Sequence, residues 1–207
     1  MENHFDQAAP TWDMNKMHAE RTASIVKFMT DRKWLDHPMT GIEFGSGTGM
    51  LSIALKDHFS KITLLDSSQG MIDVCRKKIS EMGIPHLIPV CLDLEKEDPG
   101  MDPVDMIFNQ MALHHVEDVR AMIAKFWKWL RPGGKLVVAD LYPEDGTFHD
   151  HQSYVHNGFD PLKLTRDLTE LGFGEVEYTE IYQMKKPLDS GDQKVFPVFL
   201  LWGTAIK

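Results

Sequence analysis

Apolar positions along this chain switch repeatedly between a two-residue and a helical period. From about Asn15 to Trp34, Met14, Met17, Ala23, Ile25, Val26 and Met29 fit the stripe of an amphipathic helix. Short apolar runs then predict strands at roughly 40–45, Lys61–Leu65, Leu87–Leu92, Val104–Phe108, Lys135–Leu141, about 175–184 and about 195–206. Helical periodicity returns between them at 48–58, 68–82, 118–130 and from Pro161 to about Leu171. Strands alternating with helices predict an α/β fold with a mostly parallel sheet and helices on both faces. The punctuation agrees. Gly83 and Gly172 end two helices, and Arg131-Pro132-Gly133-Gly134 breaks a third. Pro89 has no N–H to give a ladder, which places the third strand at an edge. Pro187, Ser190 and Gly191 suit a hairpin, so the last strand is expected to run antiparallel. Residues 1–13 carry Phe5, Pro10 and Trp12 without a period. They read as an arm packed on the domain, with a lid over a ligand as the alternative.

Length and charge narrow the picture. At 207 residues the chain suits one domain, taken as an arm and helix (1–37) packed on a core (38–207). A formal charge of −9 disfavours a nucleic-acid partner. No signal-peptide core and no run of 18 apolar residues is present, so a soluble, cytoplasmic protein without a membrane span is expected. Cys75 and Cys91 fall in separate elements and read as buried free thiols.

The candidate chemistry begins at Glu43-Phe44-Gly45-Ser46-Gly47-Thr48-Gly49, where a strand turns through a glycine loop into a helix. Glycine reaches positive φ and lets a ligand touch backbone, and the helix start offers free N–H groups. The dinucleotide fingerprint is G-x-G-x-x-G; here the order is acidic-x-G-x-G-x-G, and no Gly-Lys-Ser/Thr follows. Asp66 stands 21 positions after Gly45, at the end of the second strand, where a carboxylate can take two ribose hydroxyls. Ser67 and Ser68 already serve to cap the next helix.

The stretch resembles motif I of class I S-adenosylmethionine-dependent methyltransferases. Asp93 in Cys-Leu-Asp-Leu, Ala-Leu-His-His-Val-x-Asp after the fourth strand and Leu-x-Pro-Gly-Gly-x-Leu before the fifth follow in family order. They resemble the small-molecule, ubiquinone/menaquinone-type branch. The resemblance implies a three-layer Rossmann-like fold with strand order 3-2-1-4-5-7-6. It implies that S-adenosyl-L-methionine is the co-substrate and S-adenosyl-L-homocysteine the product. It places Glu43 at the methionine ammonium, Asp66 by the ribose, and Gly45, Ser46, Gly47, Gly49, Ser67 and Met71 around the ligand. Asp93 and Leu94 then face the adenine, and Asn109 and Gln110 stand beside the sulfonium. The implied acceptor is a small molecule, and the chain a monomer or homodimer. Two alternatives stay open: a non-catalytic sensor of S-adenosylmethionine, and an NAD-dependent oxidoreductase.

Residues 142–159 are polar and rich in histidine. His18, His114, His115, His149, His151 and His156 can approach the carboxyl edge of the sheet. They read as loop residues, as a general base, or as metal ligands. As base, His115 is the choice, because it follows the fourth strand. No metal set is assigned, since neither an H-x₃-H pair nor a nearby cysteine fixes a geometry. Trp12, His114, Tyr142, His149, His151 and Tyr154 are the candidate acceptor-facing residues.

Overall fold

A computed structural model describes residues 4–35, 38–149, 156–187 and 193–207. Seven strands form one sheet in the order β3-β2-β1-β4-β5-β7-β6. They are β1 (Met39–Phe44), β2 (Phe59–Asp66), β3 (Leu87–Cys91), β4 (Val104–Gln110), β5 (Leu130–Leu141), β6 (Phe173–Pro187) and β7 (Gln193–Ala205). β1 to β5 pair in parallel, and β7 runs antiparallel to β5 and β6. The edge position expected from Pro89 holds: it pairs only with Leu64 of β2.

Helices cover both faces. α2 (Lys16–Asp31), α3 (Met50–Leu55) and α4 (Gln69–Met82) share one core cluster, built on Ile25, Met29, Leu51, Leu55, Cys75 and Ile79. α5 (Val119–Trp129) and α6 (Pro161–Glu170) bury Met122, Ile123, Phe126, Leu164 and Leu168 in the other. Strand alternation divides β4 between them: Met106 and Phe108 face the first cluster, Ile107 the second. Cys75 is buried and Cys91 half-buried; both are free. Among the described residues, no helix is long and apolar enough to cross a membrane.

Three differences from the periodicity matter for the site. α2 buries only part of the expected stripe. Met14 is 78 % exposed, whereas His18, Arg21 and Thr22 are buried with Ile25 and Met29. β5 starts at Leu130 rather than Lys135, because Leu130 already pairs with Val104. The Pro-Gly-Gly turn then bulges out before Lys135 pairs with Met106. The arm has its own structure, a short helix α1 (His4–Ala8) followed by a 3₁₀ segment (Ala9–Met14).

Candidate functional site

At the carboxyl ends of β1, β2 and β4 lies a cavity of about 210 Å³. Open parallel sheets bind ligands at this edge. The glycine loop forms its floor. Gly45, Gly47 and Gly49 all adopt positive φ. A Cβ on Gly45 would stand 2.3 Å from the Ala112 Cβ, so the loop lies against the turn after β4. Met111 begins that turn in the left-handed region, and its N–H donates to the Ala139 carbonyl at 2.7 Å. A non-glycine residue held there is strained, and such residues concentrate at binding sites.

Asp66 holds the loop closed. Its Oδ2 accepts from the Gly47 N–H at 2.7 Å and its Oδ1 from the Ser68 N–H at 2.8 Å. Burial pushes its carboxyl above the ordinary value, against the pull of those two N–H groups. Ser68, not Ser67, caps α4, accepting from the Met71 N–H. Ser46, Ser67 and Met71 line the cavity beside Gly45 and Gly47. Leu94 is buried at its wall. Asp93 lines it too, with Lys96 at 2.7 Å and the Glu95 N–H holding its carboxyl below the usual range.

Other expected residues are placed differently. Glu43 is fully buried outside the lining, where its Oε2 accepts from the N–H and hydroxyl of Ser52 in the first turn of α3. Burial raises it to about 8, with the Ser52 bonds opposing. Gly49 also lies behind the wall, packed on Cys75 and Leu64. Asn109 is buried away from the lining, with both amide atoms unpartnered. Gln110 does line the cavity, but its Oε1 accepts from Arg21 Nε at 3.3 Å and Thr22 Oγ1 at 3.1 Å. Tyr142 packs edge-on against Phe199 and does not line the cavity. His151 and Tyr154 fall outside the described residues.

The arm forms a wall. Phe5 and Trp12 line the cavity, and Phe5 meets the His115 ring edge-on at 5.2 Å. Asp6 Oδ1 accepts from the Ser68 hydroxyl and the Gly70 N–H, and Asp13 pairs with Thr48 and Lys78. The arm therefore packs on the domain by closing over the cavity, combining both readings of the sequence.

The far wall is polar. His114 and Asp140 are buried together, with His114 Nδ1 donating to Asp140 Oδ1 at 2.6 Å. Asp140 Oδ2 takes the N–H groups of Leu113 and His114. Burial alone would raise the Asp140 carboxyl; the His114 ring and the N–H groups of Leu141 and His114 reverse that and hold it below its ordinary value. Nδ1 is therefore the proton-bearing nitrogen. In the neutral ring Nε2 then carries the lone pair, and this buried atom has no partner. His115 and His149 stand beside it, with ligand-capable atoms of all three within 4.8 Å of one another. His115 does not keep the ordinary basicity a general base needs. Burial, then His114 and His149, lower it to about 3. His156 lines no part of the cavity; its ring meets the Val116 carbonyl at 2.9 Å and its N–H holds the His114 carbonyl.

Arg21 is a lining residue that the sequence reading missed. It is 4 % exposed, donates to Gln110 and Met184, and is lowered to about 10 by burial, with Asp140 opposing. Its signal was available: Arg21 lies four positions after Met17 and four before Ile25, inside the apolar stripe.

Comparison with known proteins agrees with this geometry. Residues 42–134 match the methyltransferase domain model. The chain is similar to methyltransferases over that segment and beyond it. It is 33 % identical over 147 residues to an uncharacterized methyltransferase of Schizosaccharomyces pombe, covering 63 % of this chain and 52 % of the relative. It is 26 % identical to the malonyl-[acyl-carrier protein] O-methyltransferase of Priestia megaterium, covering 75 % and 56 %. The chain thus spans about half the length of the curated relatives it matches. Among solved structures, YcgJ of Bacillus subtilis superposes with a TM-score of 0.72 at 15 % identity, covering 92 % of this chain and 100 % of that one. The N-methyltransferase NodS of Bradyrhizobium japonicum, in complex with S-adenosyl-l-homocysteine, gives 0.63 at 19 %, covering 92 % and 87 %. These distant likenesses concern the fold.

Proposed function

We propose that this chain is an S-adenosylmethionine-dependent methyltransferase acting on a small molecule and releasing S-adenosylhomocysteine. The observation that carries it is the cavity over a positive-φ glycine loop tied to Asp66. The methyltransferase relatives support it. The residues present suit such a ligand. Beside Gly47, even a Cβ would find nothing closer than 3.8 Å, which leaves room against the backbone, and the buried Ser46 hydroxyl lacks a partner. When bound, S-adenosylmethionine supplies an electrophilic methyl group.

The chain's own residues then bind, orient and exclude water. Asp66 retains lone pairs for two ribose hydroxyls, Asp93 and Leu94 suit a base with an amino group, and Met71 packs beneath. Phe5 and Trp12 keep water from the methyl carbon, which matters because water competes as acceptor. Glu43 acts indirectly, by fixing the start of α3 through Ser52. Arg21 gives the acceptor side a buried cation, so we assign the acceptor an anionic group. The division into an arm and helix (1–37) and a ligand-binding core (38–207) is part of the proposal, as is a cytoplasmic setting. So are a lone chain or homodimer and the exclusion of nucleic acid, which the charge of −9 supports.

Binding is the first test. A ligand at a hundredfold excess over its Kd adds about 2.7 kcal/mol, a melting shift of roughly 5–11 °C at this size. S-adenosylmethionine should produce it and NAD should not; the reverse result overturns the assignment. Release of S-adenosylhomocysteine with a pool of small acceptors then separates an enzyme from a sensor.

A further inference from the structure

We propose that His114, His115 and His149 form a site for a divalent transition-metal ion such as zinc, whose open position takes the oxygen or sulfur of the methyl acceptor. The cation site stands on the histidine geometry alone; its role toward the acceptor rests on the methyltransferase reading above.

Ligand-capable atoms of the three rings already lie within 4.8 Å of one another. Their ring centroids are 4.2, 4.9 and 5.1 Å apart. A tetrahedral ion at about 2.0–2.1 Å from each nitrogen needs nitrogens roughly 3.3 Å apart, which small side-chain rotations supply. Three imidazoles with a fourth position open is the arrangement of a catalytic rather than a structural zinc site.

His114 is built for this duty. A ligand histidine ordinarily gives its other N–H to a carboxylate, which fixes the tautomer and strengthens the donor. Asp140 does so at 2.6 Å from within β5, fully buried. The opposite nitrogen, Nε2, is buried with no hydrogen-bond partner. Leaving such an atom unsatisfied is costly, so a site is expected to fill it. The turn carrying His114 and His115 is rigid. Asp140 takes two of its N–H groups, and His156 holds it through the His114 and Val116 carbonyls.

Arg21 lines the same cavity and couples to Asp140. A bound dication beside it favours an acceptor that becomes an anion there. Coordination lowers the pKa of a hydroxyl or thiol, which releases its proton to solvent. The freed lone pair on oxygen or sulfur forms the bond to the methyl carbon. The carbon–sulfonium bond breaks, and its electron pair stays on sulfur as a neutral thioether. No separate base is then required.

The test uses the full chain, stripped with a chelator and titrated with zinc(II) and with cobalt(II), whose visible spectrum reports tetrahedral nitrogen ligation. One equivalent should bind. His115→Ala and His149→Ala should each weaken binding at least roughly tenfold, the scale set by support around a metal ligand. Their melting shift with S-adenosylmethionine should persist, showing that fold and donor site are intact. No uptake by the parent protein, or an affinity unchanged from the parent in both variants, overturns the proposal. Transfer that survives chelation but is lost in His114→Gln assigns the His114–Asp140 pair to proton transfer and also overturns it. If the parent shows no shift with S-adenosylmethionine, the methyltransferase reading fails while the cation titration still decides the histidine site.

Discussion

The two walls of the cavity are built by different means. The wall proposed for the donor, from β1 to the start of α4, is mostly backbone: three glycines at positive φ and one carboxylate bridging loop and helix. Its residues lie within some thirty positions of one another. The acceptor wall is made of side chains from distant elements: Arg21 on α2, His114 and His115 after β4, Asp140 on β5 and His149 beyond it. Backbone recognition needs little but a permissive main chain. Side-chain recognition needs buried charge, and each such group must be balanced by another. The donor wall should therefore break when backbone space is filled, and the acceptor wall when a charge is removed.

The largest effect is expected at Asp140. Asp140→Ala leaves His114 and the N–H groups of Leu113 and His114 without their acceptor. Breaking a buried pair of this kind costs about 3–5 kcal/mol, readable as a fall in the denaturant midpoint. A variant as stable as its parent would make the acceptor wall no more demanding than the donor wall. Next comes Gly45→Val. Positive φ costs a branched residue about 1–2 kcal/mol, and the clash with Ala112 adds roughly 1–3 kcal/mol. The melting shift with S-adenosylmethionine should vanish along with that stability. An intact shift would show that the loop is not the donor floor.

Asp66→Ala sharpens the contrast, since this is the one donor side chain with a charge to lose. Removing a charge-assisted contact worth about 1.5–3 kcal/mol should weaken S-adenosylmethionine by roughly 10- to 150-fold. Because Asp66 also holds Gly47 and Ser68, the free protein should lose stability too, contrary to what an exposed strand end would suggest. Calorimetry and chemical denaturation together separate the two losses.

Glu43 gives a pH signature. Its carboxyl is raised from 4.5 to about 8 in the fold. Unfolded chains ionise it near 4.5, so its contribution is fully present below that pH and is lost as pH rises towards 8. Glu43→Gln should therefore gain stability relative to the parent between pH 5 and pH 8. The gain should reach at least about 1.4 kcal/mol, one pKa unit's worth. Parallel stability curves would place the carboxyl in a more polar setting. The smallest effect belongs to the arm. Asp6→Ala removes two hydrogen bonds at the start of α4, about 1 kcal/mol each, and should speed S-adenosylmethionine release more than it lowers melting temperature. An unchanged off-rate would make the arm plain packing.

The sequence alone determined whatever is written in local periods and backbone needs. Strand and helix order, the edge position of β3 marked by Pro89, the hairpin-like return of β7 and the glycine loop all follow from residues near one another. The gathering of Gly45, Ser46, Gly47, Asp66, Ser67, Met71, Asp93 and Leu94 on one cavity belongs here too, because parallel strands bring their carboxyl ends to one edge. Tertiary structure decided the rest. Glu43 turned inward to Ser52, Tyr142 turned to Phe199, and the buried stripe of α2 took in His18, Arg21 and Thr22 beside Ile25 and Met29. It also matched Asp140 to His114 across two strands and set His149 beside them, while burial took the basicity of His115 away. Burial and long-range pairing fix which polar group faces which, and a one-dimensional pattern of apolar positions carries no record of either.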